Sequence, residues 1–305
     1  MIQNKFYVDE NYSGERIDKY LSELLEKQTR SYIQRLIKDN LVLANGKIVK
    51  ANYKISIGDL VEITIPDATV LNIEPQNIVI DILYEDEDIL IVNKPKGMVV
   101  HPSAGHYDGT LVNAIMYHCK DHLSGINGVL RPGIVHRIDM DTTGILVVCK
   151  NDASHLSLTE QLKAHSITRK YRAIVHNCMK DEEGRIEGPI GRHPTDRKKM
   201  SINYKNGKEA VTHYKVLEHL SNYTYIECQL ETGRTHQIRV HMSSINHPLL
   251  GDRIYGPTKC PFQLQGQTLH AMILGFLHPR TGKYVEFEAP LPEYFEKLLS
   301  ILRKK

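Results

Sequence analysis

The stretch Gly133-Ile-Val-His136-Arg137-Ile-Asp139-Met-Asp-Thr-Thr-Gly144 runs directly into Ile145-Leu-Val-Val-Cys149. The second part is a short unbroken apolar run, the form a fully buried strand presents. The first part is polar, and it sets one carboxylate, Asp139, between the apolar lead-in Ile134-Val135 and that strand. A charge placed there is expensive unless it is hydrogen-bonded, paired or put to use. On its own, an aspartate in an Asp-x-Asp turn is most simply a residue capping its own backbone.

Outward from this stretch, further strands are expected at 88–93, 144–150, 169–176, 211–217, 223–231 and 284–289, and helices at 110–119, 153–165, 235–245 and 293–304. Strands that follow one another without regular helical crossovers favour an α+β domain built on a mainly antiparallel sheet with flanking helices. This unit is expected over residues 78–305, after a Pro/Asp/Thr/Asn-containing linker at 67–77.

Before the linker, Ile17, Tyr20, Leu21, Leu24 and Leu25 fall on one helical face. A second helix, capped by Thr29 or Ser31, puts Tyr32, Ile33, Leu36 and Ile37 on one side and Arg30, Arg35 and Lys38 largely on the other. Leu41-Val42-Leu43, Asn45-Gly46 and Ile48-Val49 read as a tight hairpin. Gly58-Asp59 then turns into a last strand. The result is a small α/β module at 13–66.

Composition bounds the function classes. The chain has 305 residues, 41% apolar and 25% charged, as in ordinary globular proteins. No apolar run reaches the ~20 residues of a membrane span, and Met1–Glu10 lacks a signal-peptide core. Five cysteines without a Cys-x-x-Cys argue against a zinc ribbon or a disulfide scaffold and fit a cytoplasmic setting. Neither a His-Glu-x-x-His motif nor a phosphate-binding Gly-Lys-Ser/Thr loop occurs. The net charge of +3 is unevenly spread: residues 28–54 carry six Lys/Arg against Asp39, and 185–215 carry eight. Two basic segments suit a polyanionic partner, although either one alone reads as a solvated face.

Three segments of the larger unit are too polar for their surroundings: His136-Arg137-Ile-Asp139 with Thr142-Thr143-Gly144; Lys170-Tyr171-Arg172; and Thr232-Gly-Arg234-Thr-His-Gln-Ile-Arg-Val-His241. Together they offer a carboxylate, an aromatic platform and cations at a helix start, the partners a flipped-out nucleotide requires. Singly they read as a turn aspartate, a core tyrosine and a capping arginine.

In order and spacing these segments resemble the RluA/RluD-type pseudouridine synthase family. Supporting matches are Asn93-Lys-Pro-Lys-Gly97, His247-Pro-Leu-Leu-Gly-Asp252-Arg-Ile-Tyr255-Gly256 and Leu269-His-Ala271; Ile138 and Met140 stand where relatives often have Leu and Lys. The front module resembles the small RNA-binding module first described in ribosomal protein S-four, through Arg16-Ile-Asp-Lys-Tyr-Leu, Thr29-Arg-Ser, Ile37-Lys-Asp-Asn-Leu-Val, Asn45-Gly-Lys and Gly58-Asp. The resemblance implies an RNA isomerase acting without cofactor or metal, with Asp139 as nucleophile or base, Tyr171 against the uracil and Arg234 paired with Asp139. It also implies that Arg137 fills the space left by the flipped base. Arg30, Arg35, Lys38, Lys47 and Lys54 would contact RNA. The implied substrate is large-subunit ribosomal RNA, with transfer RNA as the alternative. No heptad run demands an oligomer, so a monomer is the expectation while the oligomeric state stays open. A non-catalytic RNA-binding assembly factor is the competing reading. A carboxylate hydrolase would need a second acid, for which only Asp141 is adjacent.

Overall fold

A computed structural model describes residues 2–25, 30–65, 73–103, 105–120, 122–126, 132–196 and 198–304. The chain divides into two compact units, Met1–Val70 and Leu71–Lys305. Most of the expected linker, 67–72, lies outside the described residues, as do the candidate cap Thr29 and Arg131 at the head of the first motif.

In the first unit, strands β1 (Ile2–Tyr7), β2 (Val42–Ala44), β3 (Lys47–Ile48) and β4 (Leu60–Ile65) form a sheet in the order β1-β4-β2-β3. The expected hairpin is present: Asn45 and Gly46 both have positive φ and join β2 to β3. Helices α1 (Ile17–Leu24) and α2 (Arg30–Lys38) bury Ile17, Tyr20, Leu21, Ile33, Leu36 and Ile37 in the module's core. β1 was not among the expected elements. It pairs along β4 from Ile2↔Ile65 to Tyr7↔Leu60, so the module's sheet begins well before residue 13.

The second unit is a nine-stranded sheet. Its strands are β5 (Asp81–Glu85), β6 (Ile89–Lys94), β7 (Thr143–Cys149), β8 (Thr168–His176), β9 (Glu183–Glu187), β12 (Val211–Leu220), β13 (Tyr223–Leu230), β14 (Leu269–Leu277) and β15 (Tyr284–Glu288). They run in the order β5-β6-β7-β14-β8-β13-β12-β9, with β15 added to β14. A separate ribbon pairs β10 (Ile190–Arg192) with β11 (Met200–Ile202). All pairings are antiparallel except β7 with β14, so the mainly antiparallel α+β expectation holds. The helices are α3 (Leu111–Cys119), α4 (Asp152–Lys163), α5 (Gln237–Ser244) and α6 (Glu293–Arg303). α3 starts with a capping box in which Thr110 and Asn113 satisfy each other's backbone N–H.

Every residue of β7 is buried. Burial of a Val, Leu or Ile side chain is worth about 2 kcal/mol, so Ile145 to Val148 supply several kcal/mol. That is of the order needed to carry a partly desolvated carboxylate on the adjoining turn. β14, wedged between β7 and β8 and absent from the expected strands, completes the sheet's centre. No helix among the described residues is long and apolar enough to cross a membrane.

Candidate active site

Asp139 is presented on the turn that precedes β7, closed by a Thr142 N–H to Asp139 carbonyl bond of 3.1 Å. Two glycines bracket this segment. Gly133 has φ +70°, and a Cβ there would lie 2.6 Å from the Cys149 carbonyl oxygen; Gly144 has φ +110°, and a Cβ would lie 2.1 Å from that of Ala271. Both positions need a left-handed backbone and close approach at once, which only glycine allows. The segment therefore doubles back along β7, with Cys149 N–H donating to the Gly133 carbonyl (2.8 Å) and Val147 N–H donating to His136 Nε2 (3.1 Å). As an acceptor at Nε2, the His136 ring is neutral, with its proton on Nδ1. Burial, aided by the Arg169 charge, pushes its pKa down to about 3.

The turn is clamped from beneath by Lys94, which is 1% exposed. Its Nζ donates to the carbonyls of Pro95 (2.8 Å), Met98 (2.8 Å) and Met140 (2.9 Å), and Gly97 N–H shares the Met140 carbonyl at 3.0 Å. Burial pushes the Lys94 ammonium down to about 7 against the opposing pull of the Asp141 and Asp139 carboxylates. Gln267 Nε2 donates to Thr142 Oγ1 at 3.0 Å and fixes the far side of the turn.

The arginine that holds Asp139 is Arg239, not Arg234. Arg239 lies on α5 and donates from Nη1 to Asp139 Oδ2 at 2.9 Å. Its other edge is gripped bidentately by Asp252, from Nε at 2.7 Å and from Nη2 at 2.9 Å. Asp252 in turn accepts the N–H groups of Ile254 and Tyr255. Although burial alone would raise the Asp252 pKa, Arg239 and these N–H groups hold it below the usual range. The guanidinium also lies over the Tyr255 ring, 5.1 Å from its centroid. Arg234 comes just before the helix, and its Nε donates to the Glu209 carbonyl at 2.9 Å. It lines the same cleft without taking the expected partner. The reason is local. Gln237 opens α5 by accepting from Arg234 N–H (2.9 Å) and from Thr232 Oγ1 (2.8 Å), while its Nε2 donates to the Val211 carbonyl and to Thr212 Oγ1. That leaves Arg234 outside the first turn. Arg239 comes three residues after His236 and faces inward with it.

His236 caps α5 in the left-handed region, φ +57°. Tyr255 Oη accepts Met200 N–H at 2.8 Å and lies 2.8 Å from His236 Nδ1. The other ring nitrogen of His236, Nε2, stands 3.9 Å from Asp139 Oδ1. Burial lowers the His236 pKa despite the opposing Asp139 charge. Sequence reading missed Arg239, His236 and Tyr255 as site residues, although all three lie in quoted motifs.

Tyr171 faces the cleft from β8 and is 8% exposed. Burial raises its phenol pKa, with Asp139 adding to the shift and Arg169 opposing it. Lys170, its neighbour in the motif, points to the other face of the sheet and pairs with Glu227 at 3.8 Å. Arg137 is exposed at the cleft edge, 3.5 Å from His101 Nε2. The cleft measures about 540 Å³ and gathers His136, Arg137, Asp139, Tyr171, Arg234 and Arg239. This is ample for a nucleotide. A cluster of potential metal ligands elsewhere, Asp86, Asp88 and His278, is closed internally, with Arg280 on Asp88 at 2.6 Å and His278 on Asp86 at 2.8 Å.

In the first unit, Arg30 is committed within the module: with Arg16 it binds the fully buried Asp18. Arg35 lies 3.7 Å from Asp39, while Lys38, Lys47 and Lys54 are exposed.

The cleft sets one arginine-clamped aspartate beside a buried tyrosine in a space large enough for a nucleotide. Comparisons with known proteins give the class. Residues 88–244 match the RNA pseudouridylate synthase family and residues 15–61 match the S4 domain. The chain belongs to the RNA pseudouridylate synthase family and is an isomerase acting on RNA. It is 54% identical to an uncharacterized RNA pseudouridine synthase of Bacillus subtilis, covering 100% of this chain and 99% of that one. It is 47% identical to ribosomal large subunit pseudouridine synthase D of Zymomonas mobilis (96% and 95% covered) and 42% identical to the protein of that name in Escherichia coli K12 (97% and 93%). The human RNA pseudouridylate synthase domain containing 1 structure superposes with a TM-score of 0.57 at 25% identity, covering 79% of this chain and 98% of that one.

Proposed function

We propose that this chain converts uridine to pseudouridine in large-subunit ribosomal RNA, with Asp139 as the reacting carboxylate. The observation that carries the reading is the asymmetry of that carboxylate. Oδ2 is engaged by Arg239, whereas Oδ1 accepts no hydrogen bond from the described residues, His236 Nε2 standing 3.9 Å away. One oxygen is fixed, the other is left without a hydrogen bond, and the residue lines a nucleotide-sized cleft, as a nucleophile or base requires. The reaction breaks C1′–N1, turns the base, joins C1′ to C5, removes the C5 proton and returns a proton to N1. Electrons and atoms balance. Tyr171, kept as a neutral phenol by burial, offers its ring to the uracil. Arg137, at the edge of the cleft, fills the gap in the stack and offsets part of the unstacking cost of a few kcal/mol.

The ribosomal substrate is favoured because relatives matched over nearly their whole length carry that function in their names. The test is to map pseudouridines in ribosomal and transfer RNA from cells lacking the protein, complemented with wild type or Asp139→Asn. Sites in large-subunit RNA restored only by wild type are expected. Sites restored only in transfer RNA would move the substrate, and restoration by Asp139→Asn would remove Asp139 from the chemistry.

A further inference from the structure

The inner face of β8 carries a charge where its pattern calls for an apolar residue. Arg169, Tyr171 and Ala173 alternate inward, while Lys170 and Arg172 alternate outward to Glu227. Arg169 is 7% exposed. Its Nη2 donates to the Glu231 carbonyl at 2.8 Å, its Nε is buried without a hydrogen-bond partner, and no described carboxylate forms an ion pair with it. Three other buried charges among the described residues are answered: Arg239 by two carboxylates, Asp18 by two arginines, Lys94 by three carbonyls. A buried guanidinium left short of acceptors persists only where something repays its desolvation.

We propose that Arg169, together with Arg234, binds the phosphodiester flanking the uridine that enters the cleft. This deepens the function proposed above and rests on it. Three observations support an anion. Both arginines line the cleft that holds Asp139, and neither is neutralised by a described carboxylate. They also lie close enough for the Arg234 charge to lower the Arg169 pKa, secondary to burial. Finally, Gly233 stands beside the guanidinium without needing a positive φ. A Cβ there would come within 2.7 Å of Arg169 Nη1. Glycine at 233 is thus explained by the space it leaves next to that nitrogen and not by the backbone. Uracil and ribose are neutral, so the anionic part of the entering nucleotide is its phosphate, and a guanidinium fork matches phosphate oxygens.

The experiment uses the full chain and a synthetic stem-loop containing a uridine already mapped as a target. The phosphodiester on its 5′ or 3′ side is replaced singly by an uncharged methylphosphonate. At one of the two linkages the neutral group is expected to lower wild-type kcat/KM by roughly 10- to 100-fold. In Arg169→Gln the penalty should fall several-fold, the remainder belonging to Arg234, with Arg169→Lys intermediate. Equal penalties in wild type and Arg169→Gln at both linkages would overturn the proposal. Should Arg169→Gln fail to fold by circular dichroism, Gly233→Ala, which covers Nη1 on an ordinary backbone, must show the same loss of sensitivity, and unchanged sensitivity there overturns it equally. Wild type forming no pseudouridine on the all-phosphate stem-loop would instead sink the underlying functional reading.

Discussion

Asp18 in the first unit and Asp139 in the second are both carboxylates withdrawn from water and held by arginine, and they differ in how completely. Asp18 is fully buried and saturated: Arg16 reaches both oxygens, and Arg30 and Gln34 converge on Oδ2, with Gln34 Nε2 at 2.6 Å. Burial works against its charge, yet these donors hold its pKa below the ordinary value. Asp139 receives a single donor from an arginine that is itself shared with Asp252. A saturated carboxylate is a fastener; one engaged on a single oxygen keeps the other without a donor. The comparison teaches that arginine pairing alone does not separate a structural carboxylate from a reactive one, and that the number of oxygens left unengaged is where the two differ.

The largest expected effect separates the two aspartates by activity. Asp139→Asn should cut turnover on the order of 10³-fold or more, while thermal melting stays close to wild type. Proton release from C5-tritiated uridine RNA measures the first, and retained activity would erase the distinction. Next, Arg239→Met leaves Asp252 buried without its bidentate partner and should cost about 3–5 kcal/mol in urea unfolding as well as activity. A stable Arg239→Met protein would show that the Asp139–Arg239–Asp252 chain is dispensable to the fold. Asp18→Asn should destabilise the first unit by about 2 kcal/mol and leave single-turnover chemistry unchanged at saturating RNA. A slowed chemical step there would break the contrast from the other side.

A third solution to a buried titratable group appears at His136 and His270, which give up their charge. Burial lowers their pKa values to about 3 and about 4. Between those values and about 6.5 the unfolded chain binds more protons than the folded one, so stability rises with pH through that window and is lost as pH falls. From pH 7 to 4.5 the two should together cost a few kcal/mol. His136→Gln should flatten part of that slope in pH-dependent melts, and an unchanged slope would mean His136 is not the group responsible. Smallest is the effect of Lys38→Ala, Lys47→Ala or Lys54→Ala. Each removes one exposed charge and should reduce the slope of log K against log salt by about 1 in RNA-binding titrations, without touching kcat.

The helices, the Asn45-Gly46 hairpin and most catalytic-unit strands were readable from periodicity and turn chemistry, because each carries its own pattern. Leu269–Leu277 was not. A strand covered on both faces has no alternation to distinguish it from a buried helix. β1 was passed over because a terminal segment shows its purpose only against its partner, β4. The site was legible as a set of motifs but not as a geometry. Arg234 and Arg239 lie five residues apart in one polar run, and their identity as cations does not reveal that Gln237 starts the helix between them. Arg169 hid for a similar reason, since only pairing shows that Lys170 turns outward and Arg169 inward.

The three carbonyls around Lys94 Nζ have a consequence for when the enzyme becomes active. They belong to the chain just after β6 and to the turn that carries Asp139, segments separated by some forty residues of sequence. The carboxylate is aimed only once these segments have docked, so the ordering entropy of the turn is spent during folding rather than at each encounter with RNA. A partly unfolded chain in which Lys94 has not bridged these segments has no fixed position for Asp139, the carboxylate to which the chemistry is assigned in the function proposed above.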